Sequence, residues 1–282
     1  MKLGYDNLPT LAMWRVNTYL SLNDEQRVLA ERRIESLHAW HRSTQLDDYV
    51  SLLQTIQHRV ADGGPVSEAE IRGWRIEVLE RWKPIAQQAA PAVAEVALRL
   101  EPRQLAQMRA AFARDNEKAR REWLPGDDHA RVEARAKRYI SRGETFLGSL
   151  TDAQKQAVRR IAAEAPAVEG QWLARRAERQ QDLLATMARI RDERPPEAEA
   201  TRWMQQHLLR YAELRDEPGR EGTASSLAVA DATSATLLAM ATPKQRQHLQ
   251  RTLQEWIDLM QSLKPQQTAR ALQGARALVA QP

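Results

Sequence analysis

Hydrophobic residues recur at helical spacing along most of the chain. Between residues 46 and 60, for example, Tyr49, Leu52, Ile56 and Val60 fall on one face of a helix. No stretch shows the alternation of β-branched and polar residues that is typical of a strand. The pattern therefore predicts an all-α protein, a multi-helix bundle of roughly nine to eleven helices.

Four of the predicted helices begin with a similar five-residue motif. The motif starts at Leu22, Leu100, Leu150 and Ala241, and its last residue is always glutamine. Its second residue can cap the helix, and the glutamine can return a hydrogen bond to the backbone of that cap, which makes a capping box. Glu101 is a poorer cap than the Asn or Thr of the other copies, so we expect the second box to be weaker.

The order of these starts, and of the charged and aromatic residues after them, predicts an internal duplication into two helical halves. The predicted segments are an N-terminal segment with a short helix (1–21), a first half (22–125), a connecting helix (126–149), a second half (150–264) and a flexible tail (265–282).

Each half also carries two aromatic residues eight positions apart. These pairs are Trp74 with Trp82, and Trp203 with Tyr211. Eight residues are slightly more than two helical turns, so each pair should lie along one helix face, and that face should be buried. We expect the two pairs to occupy equivalent places in the two halves.

Composition narrows the possible partners. The formal charge is +5, but the 42 basic residues are interleaved with 37 acidic ones, and no nucleic-acid-reading motif is present, so we expect no nucleic-acid partner. The absence of cysteine excludes disulfides, thiol catalysis and cysteine-bound zinc. No apolar run reaches the ~18–20 residues of a membrane span, and no signal peptide is present in the sequence.

Catalytic and cofactor motifs are missing as well. The sequence has no Gly-x-Ser-x-Gly elbow, phosphate-binding loop, dinucleotide fingerprint or His-Glu-x-x-His pair. Glu35 and His38 have the spacing of a di-iron ligand pair, but no second copy accompanies them. We therefore predict no enzyme activity, no metal and no cofactor.

Two regions are candidates for binding a partner. The first is the polar and aromatic cluster between Trp40 and Tyr49. Its alternative interpretation is a joint between helices in which these two residues pack inward. The second is an Arg-rich region, 114–142, whose alternative interpretation is a solvated helix pair held by local ion pairs such as Glu133 with Lys137. The candidate residues are Trp40, His41, Arg42, Gln45 and Tyr49 in the first region, and Arg120, Arg121, Arg135 and Arg138 in the second.

The helix starts resemble those of Spy-like periplasmic chaperones, which carry Leu-Thr-x-x-Gln motifs. Only the segment from Leu150 to Gln154 matches that motif in every letter. A closer resemblance, over most of the chain, is to an uncharacterised proteobacterial lipoprotein family. The residues that carry it are Tyr5, Asn7, Pro9, Trp14, Tyr19 before Gln26, and Trp40-His41-Arg42-x-x-Gln45-Leu46.

The family resemblance implies a lipidated cysteine just upstream of this opening, and it supplies no catalytic residues. It leads us to expect an outer-membrane lipoprotein on the periplasmic side of the cell envelope. Its expected role is to bind a protein or peptide client, as a chaperone-like protein or an adaptor. The alternative is binding to an anionic envelope surface, lipid or lipopolysaccharide, through the Arg-rich helices.

Overall fold

The computed structural model describes residues 2–213 and 221–264, with side chains for 4–210 and 226–264, and all the regular secondary structure in this part is helical. The all-α prediction is confirmed for these residues, and the predicted tail 265–282 lies outside them. The helices are α1 (Lys2–Asp6), α2 (Leu8–Leu20), α3 (Asp24–Thr44), α4 (Leu46–Ala61), α5 (Glu68–Glu80), α6 (Trp82–Ala97), α7 (Pro102–Trp123), α8 (Asp128–Leu147), α9 (Asp152–Glu164), α10 (Glu169–Glu193), α11 (Glu197–Glu213), α12 (Glu221–Ala239) and α13 (Pro243–Leu263).

The repeated motif opens α3, α7, α9 and α13, as the sequence predicted. Asn23, Thr151 and Thr242 each accept a hydrogen bond from the backbone of the third helical residue, which is the motif glutamine. In the remaining copy, Oε1 of Gln104 accepts a 2.8 Å hydrogen bond from the backbone N–H of Glu101. These caps satisfy backbone N–H groups that a helix leaves unpaired at its start.

The four motif glutamines are buried and hydrogen-bonded in two pairs. Gln26 and Gln104 exchange Nε2–Oε1 bonds of 3.1 and 2.7 Å. Each also donates to a backbone carbonyl five positions before the other glutamine, Arg99 at 2.6 Å and Ser21 at 3.3 Å. With the bonds that each accepts from its cap, both amides use both donors and both lone pairs.

The second pair repeats this arrangement. Gln154 and Gln245 exchange bonds of 2.8 and 2.9 Å, and they donate to the carbonyls of Met240 and Ser149 at 3.1 and 2.9 Å. These carbonyls again lie five positions before the other glutamine. The equivalence of the two pairs supports the predicted duplication and gives a register for comparing the halves.

The two halves do not enclose separate cores, because they exchange helices. The first core is built from α2, α3, α6 and α7 together with α10 and α11 of the other half. The second is built from α8, α9, α12 and α13 together with α4 and α5. α8 lies in the segment predicted as a connecting helix, yet it packs on α9 and α13 as α2 packs on α3 and α7. It is the counterpart of α2 in the second core.

The aromatic pairs are only partly as predicted. Trp74 packs against the second core and Trp203 against the first, so these two are equivalent, but both are half-buried. Trp82 is not on the same helix as Trp74, because the chain turns at Arg81 and restarts as α6, with Pro84 in the first turn where its missing N–H costs little. The side chain of Tyr211 lies outside the described residues.

Candidate functional site

The predicted cluster around His41 forms a joint between three helices. The His41 ring lies between two tyrosines, with Nδ1 2.9 Å from the Tyr5 hydroxyl and Nε2 3.1 Å from that of Tyr49. Burial, and then the neighbouring His38, lowers the pKa of His41, whereas burial raises the pKa of Tyr5 and Tyr49. At neutral pH the three rings are therefore uncharged, and their hydrogen bonds tie α1 to α3 and α4.

The remaining residues of this cluster also bond within the chain. Arg42 donates to the carbonyl of Leu263 at the end of α13 and lies 3.7 Å from Asp6. The carbonyl of Trp40 accepts from the hydroxyls of Ser43 and Thr44. Gln45 caps the junction of α3 and α4, and its amide donates to Thr44 at 3.1 Å. These are the contacts of a helix joint.

The structure separates the four arginines of the Arg-rich region into two kinds. Arg120 and Arg121 are exposed on α7, and each forms a 2.9 Å ion pair with Glu117. Arg135 is buried, with a bidentate pair to Glu169 at 2.7 and 2.8 Å and two further bonds to backbone carbonyls. Burial alone would raise the pKa of Glu169, but the bonds from Arg135 outweigh it and lower the pKa. Arg135 is therefore engaged inside the fold.

Arg138 belongs to a stack of aromatic and cationic groups. Its guanidinium lies 4.4 Å from the ring centre of Trp123, and Trp123 lies 4.2 Å from Trp172 with the two rings almost parallel. Arg176 lies 5.9 Å from the ring centre of Trp172 on α10. Arg138 also reaches Glu169 at 3.3 Å. The stack fixes the position of Arg138 beside a large cavity.

This cavity, which we call the cationic cavity, has a volume of about 860 Å³ and is lined mainly by α8, α10, the end of α7 and the start of α12. Lys137 and Arg142 line it, and neither has an ion pair within the described residues. The predicted partner of Lys137 was Glu133, but that carboxylate lies 3.6 Å from Arg159 of α9 instead. Because Glu133 pairs with Arg159, the ammonium group of Lys137 can bind a molecule in the cavity.

Two further clefts are almost wholly apolar. The first cleft, of about 260 Å³, lies between α2, α3, α6, α7 and α10. The second cleft, of about 320 Å³, lies between α4, α5, α8, α12 and α13. When the halves are aligned on the glutamines that begin α7 and α13, the clefts share equivalent positions on α6 and α12 and on α7 and α13. They differ in one wall, because the first cleft is also lined by α3 and the second by α5, which are not counterparts. The equivalent lining residues are Ala89 and Ala230, Ala92 and Thr233, Val93 and Ser234, Val96 and Leu237, and Met108 and Leu249.

The clefts differ in what surrounds them. At the rim of the first cleft, Arg15 is paired with Asp115 and Arg33 with Glu95. The second cleft shares Tyr139, Arg142, Phe146 and Ala230 with the cationic cavity, so the two spaces adjoin.

Sequence reasoning did not find either cleft. Their walls are made of small and apolar residues at helical spacing, which is also the pattern of an ordinary packed face. The only available signal was the duplication, because it places small residues at matching positions of α6 and α12.

The described residues include neither a candidate metal site nor a candidate membrane span. No group of three or more His, Asp or Glu side chains there could hold a metal ion. Among these residues, no helix has the length and apolar character needed to cross a bilayer.

A family model matches residues 18–213, a range that includes α3 to α11, and its description is a family of unknown function, DUF6279. The chain belongs to this family. Neither the comparison with curated proteins nor the comparison with solved structures found a match. Membership of an uncharacterised family is thus confirmed, whereas lipidation and the periplasmic location remain expectations.

Proposed function

We propose that this DUF6279 protein is a non-catalytic binding protein, lipid-anchored on the periplasmic side of the envelope, whose two clefts receive apolar side chains of a protein or peptide partner. The observation that carries the proposal is the pair of corresponding clefts, each lined in part by equivalent positions of the two halves. Duplicated apolar clefts give one chain two places to hold the same kind of group.

The energetics suit such a role. Full burial of one large apolar side chain contributes about 1.5–3 kcal/mol, so a single cleft would bind weakly. Two clefts on one chain hold a second segment at high effective concentration once the first is bound, and this raises the overall affinity without new contacts. Weak individual sites with added avidity are suited to a chaperone-like protein or an adaptor.

A second apolar surface lies on α2, outside the clefts. Leu8, Leu11 and Trp14 are 43%, 53% and 65% exposed. They are spaced by three residues, so they follow one side of the helix. Exposed large apolar residues grouped in this way are typical of interaction surfaces, and this surface supports the proposal of a protein partner.

The location is a separate part of the proposal, supported by the family resemblance and by the attachment of α1 to the body. Tyr5 bonds to His41, and Asp6 lies beside Arg42, so an anchor close to α1 would be held near the joint between α3 and α4. The first codons of the native gene test the location. A signal peptide ending in a lipobox cysteine just before Leu3 is expected, and a start codon at Met1 with nothing upstream would contradict it.

Cleft-filling variants test the binding role. Ala89→Phe fills the first cleft, Ala230→Phe fills the second, and Ala163→Phe places the same ring on the exposed side of α9 as a control. The measurement is light scattering of a reduced, aggregating model client, α-lactalbumin, with and without the protein. We expect Ala163→Phe to suppress aggregation like the wild type, each cleft variant to suppress less, and the double variant least. Full suppression by the folded double variant would overturn the proposal.

Binding to an anionic surface is the second candidate function, favoured by the exposure of Arg120 and Arg121. The variants that test this function should keep Arg135, because its removal would leave the buried carboxylate of Glu169 without its main counter-charge. Binding to phosphatidylglycerol vesicles should weaken steeply with added salt and be lost in the Arg120→Gln, Arg121→Gln double variant. Vesicle binding that is unaffected by salt and by the double variant would contradict this function, and α7 would then be an ordinary solvated helix.

A further inference from the structure

The second cleft differs from the first in opening beside uncompensated positive charge. Tyr139, Arg142, Phe146 and Ala230 belong to the walls of both the second cleft and the cationic cavity. A molecule long enough to enter both would have one end among apolar side chains and the other among cations. The first cleft offers no such end, because its two rim arginines are each paired with a carboxylate.

The charge of the cationic cavity is positive within the described residues. Its lining carries four cationic groups and two carboxylates. Glu169 is shared by two of these cations, and Glu122 is exposed. The four cationic groups are Arg135, Lys137, Arg138 and Arg142. A cavity with low-dielectric walls concentrates the field of such charges, so it favours an anionic group.

The cations are also suitably placed to hold an anion. Arg138 is fixed by its stack on Trp123, so little side-chain entropy is lost when it makes a further bond. Arg138 and Arg142 lie four residues apart on α8, so they are neighbours on one face of the helix, and Lys137 and Arg142 occupy exposed positions that line the cavity. Charge-assisted hydrogen bonds from such groups to carboxylate or phosphate oxygens are the strong ones in proteins.

We propose that the second cleft and the cationic cavity together bind an anionic amphiphile, a molecule with one apolar chain and a carboxylate or phosphate head. The chain lies in the second cleft, beside Trp74, Phe146 and Trp256, and the head lies near Lys137, Arg138 and Arg142. This site goes beyond the proposed function, since it uses one cleft only and a ligand other than a protein. Carboxylate and phosphate heads share the chemistry that the cations recognise.

Four probes separate the parts of the proposal in isothermal titration calorimetry, with the anionic amphiphiles used below their critical micelle concentrations and dodecanol below its solubility limit. They are dodecanoate, dodecyl phosphate, dodecanol and inorganic phosphate. We expect the two anionic amphiphiles to bind at least about tenfold more tightly than dodecanol or phosphate alone, because only they use both the cleft and the cavity. Between octanoate and dodecanoate, affinity should rise by up to about fourfold per methylene. If dodecanol binds as tightly as dodecanoate, the proposed role of the cationic groups is wrong. If inorganic phosphate binds as tightly as dodecyl phosphate, the proposed role of the cleft is wrong.

Matched variants locate the site. Ala230→Phe should abolish dodecanoate binding, whereas Ala89→Phe, at the equivalent position of the first cleft, should leave it unchanged. Arg142 is exposed and unpaired in the described residues, so Arg142→Gln should fold normally and weaken dodecanoate about tenfold while leaving dodecanol unchanged. Equal losses in Ala89→Phe and Ala230→Phe, or no loss in Arg142→Gln, would contradict the proposal. Client binding through the first cleft is measured separately, so the two proposals can fail independently.

Discussion

In the first core, Ala90 and Met204 are completely buried among apolar side chains. The equivalent positions of the second core hold Asp231 and Arg75, which form a bidentate ion pair at 3.0 and 2.8 Å. The Asp231 side chain is 2% exposed, and Arg75 is 22% exposed. The same helix pairing, α6 with α11 and α12 with α5, is thus closed by apolar packing in one core and by buried charge in the other.

The difference shows that the duplicated architecture does not need the ion pair. Apolar residues serve at the equivalent place of the first core, and buried ion pairs are often neutral or unfavourable relative to well-packed apolar residues. The Arg75–Asp231 pair lies in the second core, whose cleft adjoins the cationic cavity. Four substitution experiments test how far the two cores are equivalent.

The largest effect is expected for Arg75→Met, which removes the bidentate partner of Asp231. Asp231 would then be buried with only Arg72, an exposed residue 3.7 Å away, as its counter-charge. We expect the free energy of unfolding to fall by about 3 kcal/mol in urea denaturation.

The double variant Arg75→Met with Asp231→Ala reproduces the residues of the first core, Met204 and Ala90. It should recover to within about 1 kcal/mol of the wild type, because no unpaired charge remains. A double variant as unstable as Arg75→Met alone would show that the two cores are not interchangeable at these positions.

A smaller and symmetric effect is expected at the glutamine pairs. Gln104→Ala and Gln245→Ala each remove a buried amide that bonds its own cap, its partner glutamine and a backbone carbonyl. Each should cost about 2–3 kcal/mol of unfolding free energy, since buried partners are left unsatisfied. Gln107→Ala, which removes one exposed bond, should cost about 0.5 kcal/mol. If the losses of unfolding free energy in Gln104→Ala and Gln245→Ala differ by more than their experimental errors, the two glutamine pairs are not energetically equivalent.

The next effect concerns Trp74 and Trp203, at equivalent positions of α5 and α11. Truncation of a fully buried Trp costs about 3–5 kcal/mol, and these two are half-buried, so we expect about 2 kcal/mol for each Ala variant. Arg189 stacks 3.6 Å from the ring centre of Trp203, so that variant loses one cation–π contact as well. Thermal unfolding followed by circular dichroism measures both, and an unaffected Trp74→Ala would argue against its packing on the second core.

The smallest effect is the contribution of His207, in the first core, to the pH dependence of stability. Burial, and then Arg210, lowers the pKa of His207 on α11, and the equivalent position of α5 is Val78, which does not titrate. Below about pH 6.5 the unfolded histidine binds a proton more readily than the folded one, so stability falls as the pH falls. In His207→Val, unfolding free energies at pH 7.5 and 5.5 should differ less than in the wild type. Equal differences would contradict the assignment.

Local features of this fold were predictable from the sequence, and the exchange of helices was not. The caps at Asn23, Thr151 and Thr242 depend on residues three positions apart, so a five-residue window contains all the chemistry. An apolar helix face indicates burial but does not say which helix covers it. For that reason α4 and α5 gave no sign that they pack in the core of the other half.

The candidate site shows the same limit. Arg135 follows other charged residues on a helix and looks solvated in the sequence, because its partner Glu169 lies on another helix. The Tyr49 and His41 cluster was found by its composition, but the tyrosine that completes it, Tyr5, comes from α1. The turn at Arg81 was missed because the apolar spacing continues from Trp74 to Trp82 without interruption.

The exchange of helices also determines when each core can be completed during synthesis of the chain. Every helix of the first core has been synthesised once α11 ends, but α4 and α5 belong to a core that stays incomplete until α13 is made. At about 5–20 residues per second, the interval between Ala61 and Leu263 lasts roughly 10–40 s. Throughout that interval α4 lacks α13, the helix it contacts most, so the synthesis of α13 determines when the apolar face of α4 can be covered.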